Sequence, residues 1–144
     1  MPKFELNRPA RRVHPFYALD DFAKGYVEAM FFTNGDTGDE REDLLNDLGA
    51  ERLTRAAVAR IAADCRKFLG HIMPDGCFVQ QWIDRAEGYN IEQAGRDFWL
   101  TRQGHGVGFW CRKELNGELG AGLTDAAAAQ GEVYPSVNRG WIHH

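Results

Sequence analysis

Residues 97–110 read DFWLTRQGHGVGFW. Two aromatic pairs, Phe98-Trp99 and Phe109-Trp110, flank a segment that holds Arg102, Gly104, His105, Gly106 and Gly108. The run from Asp97 to Arg102 is rich in residues that favour strands, and so is the run from Val107 to Cys111. Between them, Gln103-Gly-His-Gly106 has turn composition. Strand-forming runs joined by a short Gly-rich turn predict a β-hairpin over 97–111. Alternation then puts Phe98 and Leu100 on one face and Trp99 and Thr101 on the other. Both faces carry aromatic rings, so both need cover.

On the N-terminal side the periodicity is helical. Leu19, Phe22, Tyr26, Val27, Met30 and Phe31 recur every three or four residues, with Asp20 and Asp21 at the end that favours negative charge. Thr33-Asn34-Gly35 ends this helix, and the acidic stretch DTGDEREDLLNDLG reads as a loop. Leu53, Ala57, Ile61, Cys65 and Phe68 mark a second helix that stops at Gly70. After Pro74-Asp75-Gly76, Val79, Trp82, Ile83 and Ala86 mark a third, shorter one, with Asp75 as its cap. Beyond the expected hairpin lie a Gly-rich loop, a short helix from Leu123 to Gln130 capped near Thr124, and a weaker strand pair at 132–137 and 139–142. Helices first, then strands with one helix inserted, define an α+β fold: N-terminal helices packed on a small antiparallel sheet centred on the 97–111 hairpin.

At 144 residues the chain fits one domain. Residues 1–15 hold three of the five prolines and little periodicity, and are expected to be an extended basic arm, leaving 16–144 as the domain. The N-terminus is positively charged but lacks the apolar run of a secretory signal. No apolar stretch has the length of a membrane span. Cys65, Cys77 and Cys111 are odd in number and scattered, which fits reduced thiols and a cytoplasmic setting; Cys65, on an apolar helix face, is expected to be buried. The net charge of −4 is uneven: residues 1–19 carry +3 and residues 20–51 carry −8. An acidic balance disfavours a general nucleic-acid binder and suits a basic partner surface.

Four kinds of chemistry compete for the 97–110 stretch. An enzyme reading makes His105 the acid or base, Arg102 an anion clamp and Asp97 the orienting carboxylate. A metal reading fails on spacing: Cys65, His71 and Cys77 are six apart, as are His105 and Cys111, whereas structural zinc ligands pair two to four apart. No metal or cofactor is expected, and the terminal His143 and His144 are assigned no role. A nucleic-acid reading has Trp99, Trp110 and Arg102 stack on and clamp a strand or nucleotide. Protein recognition is the leading reading, because Trp and Arg dominate interface hot spots. Its expected contact residues are Asp97, Trp99, Arg102, His105 and Trp110, aided by Asp36 and Asp39 of the acidic segment.

The run AGRDFWLTRQGHGVGFW at 94–110 also resembles a signature of small proteins encoded by tailed bacteriophages, A-G-H-D-F-W-L-T-R-x-G-H-G-x-G-F-W-D. Asp64-Cys65-Arg66-Lys67-Phe68 matches their D-C-x-x-F, and Phe22, Tyr26, Glu28 and Ala29 match an early F-x-x-x-Y-x-E-A. Leu123–Ala127 and Gly131–Tyr134 match two later motifs, so the likeness spans roughly residues 22–134. Arg96 and Cys111 depart from the signature, which often has His and Asp there; if those family positions form a His–Asp site, it is lost in this chain. The family has no established biochemical activity. What the resemblance implies is a phage protein acting in the cytoplasm of an infected bacterium, where early proteins of this size often bind and modulate a host enzyme or a defence complex.

Overall fold

The computed structural model describes residues 14–33, 49–115 and 117–144. Among these residues the chain forms α1 (Asp21–Thr33), α2 (Arg55–Leu69), α3 (Val79–Asp84), α4 (Ile91–Arg102) and α5 (Glu118–Ala128), then β1 (Ser136–Asn138) and β2 (Trp141–His143). Short 3-10 turns occupy Pro15–Ala18, Ala50–Arg52 and Phe109–Cys111. The α+β class holds: N-terminal helices are followed by one small antiparallel sheet of two strands. The basic arm lies outside the described residues except His14 and Pro15, and Asp36 and Asp39 lie outside them too.

The sheet is not where the sequence reading centred it. Residues 97–102 are the second half of α4, and residues 109–111 form a 3-10 turn. Local signals for this helix were present. Asn90 is its N-cap, with its side chain accepting from the Gln93 N–H at 2.7 Å. Glu92 sits in the first turn. Gly104 is the stop: its φ is +69°, its N–H bonds the Thr101 carbonyl at 3.1 Å, and the His105 N–H bonds that of Leu100 at 3.0 Å. That pair of bonds is a Schellman motif, which needs the left-handed residue glycine supplies. The QGHG composition therefore marks a helix end. Preference of aromatic residues for strands is largely a packing preference, and here helix packing overrides it.

The paired strands are those of the C-terminal segment. Val137 pairs with Ile142 and Ser136 with His143, around a turn in which Arg139 and Gly140 both have positive φ, 53° and 78°. Ile142 is fully buried, bridges Leu53, and accepts from the Thr54 N–H at 3.0 Å, which docks the hairpin on the start of α2.

The centre of the molecule is the crossing of α1 and α4. Buried residues surround most of α1, from Phe22 to Phe31, as expected of a helix enclosed by others. Its partner presents Ala94, Phe98 and Trp99. The helices touch backbone to backbone at two glycines. A Cβ on Gly95 would collide with the Phe22 carbonyl oxygen, and one on Gly25 with that of Glu92. Aromatic rings fill the space below. Phe98 stacks on Phe68 with centroids 4.2 Å apart and also faces Phe22, while Phe68 faces Phe109.

The remaining elements follow the sequence reading with shifted bounds. Thr54 caps α2, and Cys65 on its inner face is buried. Asp75 does not cap α3; Phe78 holds that position, and the Asp75 carboxylate instead accepts from Trp82 Nε1 and pairs with Arg85. Helix α5 begins at Glu118, so the expected Gly-rich loop is its first turn. Gly122 allows this, since a Cβ there would press into the Trp82 ring. Thr124 lies inside α5 and donates back to the Gly120 carbonyl at 2.7 Å rather than capping it.

Candidate functional site

Helical spacing turns Asp97, Phe98, Thr101 and Arg102 toward the interior together. Asp97 is wholly buried. Taking a carboxylate out of water is costly unless it is paired and hydrogen-bonded. Arg112 reaches it side-on, with Nε at 3.0 and 3.1 Å from the two oxygens and Nη2 at 2.7 Å. Gln93, one turn earlier on α4, donates to it at 3.1 Å, and the Tyr89 hydroxyl donates at 2.5 Å. Burial and the adjacent Asp97 charge push the Tyr89 phenol far up, so it remains a donor. The hydrogen bonds to Asp97 raise the pKa of Arg112 further.

Arg102 is also interior, only 5% exposed. Its Nη1 donates to the Tyr26 hydroxyl at 3.1 Å and to Asp64 at 2.9 Å. Nε and Nη2 reach the carbonyls of Gly131 and Gln130 just past the end of α5, and the guanidinium lies 5.2 Å over the Phe98 ring. One cation thus ties α1, α2, α4 and the exit of α5 together. The Tyr26 hydroxyl accepts from Arg102 and is also hydrogen-bonded to His144 Nε2 at 2.8 Å. Burial pushes the His144 imidazole down to about 4, so it is neutral at pH 7. His144, assigned no role from sequence, is thus built into the structure.

Trp99 is fully buried, edge-on to Tyr26, with Nε1 donating to Thr33 Oγ1 at 2.7 Å. The expected contact surface of Asp97, Trp99 and Arg102 is therefore corrected: all three are core residues. They were assigned to the surface because a hairpin would have alternated them outward. A stacking platform of Trp99 and Arg102 for nucleic acid goes with that assignment, as does an Arg102 anion clamp beside His105.

What faces solvent is the loop after Gly104. His105 is exposed, and its ring forms no hydrogen bond with another described residue. Val107 is 47% exposed and Trp110 is 54% exposed. The loop is nevertheless held from beneath. Phe109 is buried, its N–H bonds Thr101 Oγ1 at 3.2 Å, and Gly108 packs so closely on Thr101 that a Cβ there would collide. Arg112, anchored on Asp97, fixes the loop's far end. Of the residues singled out from sequence, His105 and Trp110 share this exposed loop.

The sequence reading missed Tyr89, Gln93 and Arg112. Gln93 and Asp97 are spaced i, i+4 on a helix, a signal once the helix is recognised. Arg112 has no such local signature. Gly88, Tyr89, Asn90, Gln93, Arg112 and Glu114 line a half-open, mostly polar cleft of about 170 Å³ beside the Asp97 network. Among the described residues no group of three or more His, Cys, Asp or Glu is placed to hold a metal, and no helix is long and apolar enough to cross a membrane. All three cysteines are free thiols. Burial pushes the Cys65 thiol up, which keeps it unreactive.

No family model, no curated protein and no solved structure matches the chain.

Proposed function

We propose that this is a binding protein, encoded by a tailed bacteriophage, that engages and modulates a host or defence-system protein in the bacterial cytoplasm through the loop between α4 and α5. One observation carries the reading: Trp110 and Val107, about half exposed, stand on a loop whose backbone is pinned by Phe109, Thr101 and Arg112. Tryptophan is among the commonest interface anchors. Holding it in place before contact reduces the ordering cost of association. His105 adds a directional polar group at the helix end. The chain's charge of −4, with its acidic segment carrying Asp36 and Asp39, favours a basic protein surface over phosphate.

The test is capture from bacterial lysate by the tagged wild type and by Trp110→Ala, followed by affinity measurement with the purified captured protein. Loss of the anchor is expected to weaken that complex by about thirtyfold, or about 2 kcal/mol. Equal affinity of the two proteins for the same partner overturns the assignment of the loop.

A further inference from the structure

The cleft at the start of α4 has a donor wall and an acceptor wall. Arg112 offers Nε and Nη2 to the buried Asp97, an arrangement that locks the guanidinium plane. Its Nη1 has no hydrogen-bond partner among the described residues, and Arg112 is one of the residues lining the cleft. Asn90 adds a second donor. Its side-chain oxygen is committed to the Gln93 N–H, which leaves its amide NH₂ available. The first amides of α4 and the helix dipole add positive potential to this wall. Glu114 lines the same cleft, yet forms no ion pair with Arg112, which is paired with Asp97. Both side chains therefore border the cleft without closing it against each other.

That combination of donors and a carboxylate selects the occupant. A simple anion meets Arg112 but is repelled by Glu114. A simple cation meets Glu114 but leaves the donors of Arg112 and Asn90 without an acceptor. A volume of about 170 Å³ is well below that of sites for drug-sized ligands, so the occupant is small. We propose that this cleft binds a free α-amino acid as its zwitterion, with the carboxylate on Arg112 and Asn90 and the ammonium on Glu114. The half-open mouth leaves the ligand's side chain toward solvent, so the site reads the zwitterion more than the side chain. The assignment is independent of the Trp110 loop reading.

The experiment is a titration of the isotopically labelled full chain, followed by amide resonances. The probes are L-alanine, propionate (the same skeleton without the ammonium) and ethylamine (without the carboxylate). A ligand of about six heavy atoms is expected to bind with millimolar affinity. Saturable shifts are expected at residues 88–93 and 112–114 with alanine, with at least tenfold weaker binding of propionate and ethylamine. Glu114→Gln, an exposed change that leaves the Asp97–Arg112 pair intact, and Asn90→Ser, which keeps the capping oxygen, are each expected to weaken alanine binding about tenfold. Trp110→Ala is expected to bind alanine like the wild type. No saturation up to about 100 mM alanine overturns the proposal. So does propionate binding as tightly as alanine, or undiminished affinity in Glu114→Gln.

Discussion

The two halves of the 97–110 stretch each carry a Phe-Trp pair and have opposite fates. The first half, Asp97 to Arg102, holds two formal charges and is buried. The second half, Gly104 to Trp110, is nearly neutral, yet it exposes His105, Val107 and Trp110. Side-chain polarity did not sort them; the stop at Gly104 did. Upstream of it, helical spacing carries charged groups inward, where partners wait. Downstream, the chain leaves the helix, and Gly108 and Phe109 turn back against the core. A buried charge is thus tolerated where a network meets it, and an exposed tryptophan arises where no described element covers it.

The sharpest way to break this contrast is to remove the charge at the centre of the inward half. Asp97→Ala leaves the Arg112 guanidinium and the Tyr89 hydroxyl without their partner. Chemical denaturation is expected to show a loss of about 3–5 kcal/mol, the range for breaking a buried ion pair. A loss under about 1 kcal/mol shows that Arg112 simply turns to solvent, and that the inward half does not depend on its charge.

The second network of the inward half is tested by pH. His144 is a base whose pKa falls from 6.5 to about 4 on folding, so between those values the unfolded chain binds more protons. Its contribution is complete above about pH 6.5, declines as pH falls, and is gone below about pH 4. The amount at stake is up to about 3 kcal/mol. Denaturation of the wild type and of His144→Gln across this window is expected to show a flatter profile for the variant. Parallel profiles place the titration elsewhere.

Glycine substitutions sharpen the comparison at smaller magnitude. Gly95→Ala pushes a methyl into the Phe22 carbonyl and is expected to destabilise by about 1–3 kcal/mol, since backbone has little room to yield. Gly106→Ala, on the outward half, meets nothing within 4 Å and needs no positive φ. Its effect is expected to stay within about 0.5 kcal/mol. Thermal denaturation of the pair decides the point, and equal losses remove the distinction between the halves. Trp110→Ala is expected to be as mild as Gly106→Ala for stability, about 0.5 kcal/mol or less, while lowering affinity for a partner; a large loss of stability makes Trp110 a structural residue.

Much of the fold was legible because it rests on local patterns. The spacing of Phe22, Tyr26 and Met30 in α1, and of Ala57, Ile61, Cys65 and Phe68 in α2, is periodicity a core must obey. Gly70 at the end of α2, and strand character in the C-terminal segment, were readable in the same way. The candidate site was legible only in part. His105 and Trp110 were expected at the surface and do reach solvent, whereas Asp97, Trp99 and Arg102 were placed outside and lie inside. The error came from aromatic density. Phe98-Trp99 and Phe109-Trp110 suit strands and buried helices alike, and Asn90, Glu92 and Gly104 were the residues able to arbitrate.

The α+β class, the course of α1 and α2, the burial of Cys65 and the acidic balance were determined by the sequence itself, because each depends on neighbours along the chain. The tertiary structure alone decided that Asp97 meets Arg112, fifteen residues away, and that Arg102 meets Tyr26 and Asp64 from two other helices. It alone placed His144 against Tyr26, 118 residues away, and drew Gly25 and Gly95 into backbone contact. These are choices of partner for a buried charge or a close approach. Local spacing sets which face a residue occupies, but which group waits opposite is set by how the helices cross.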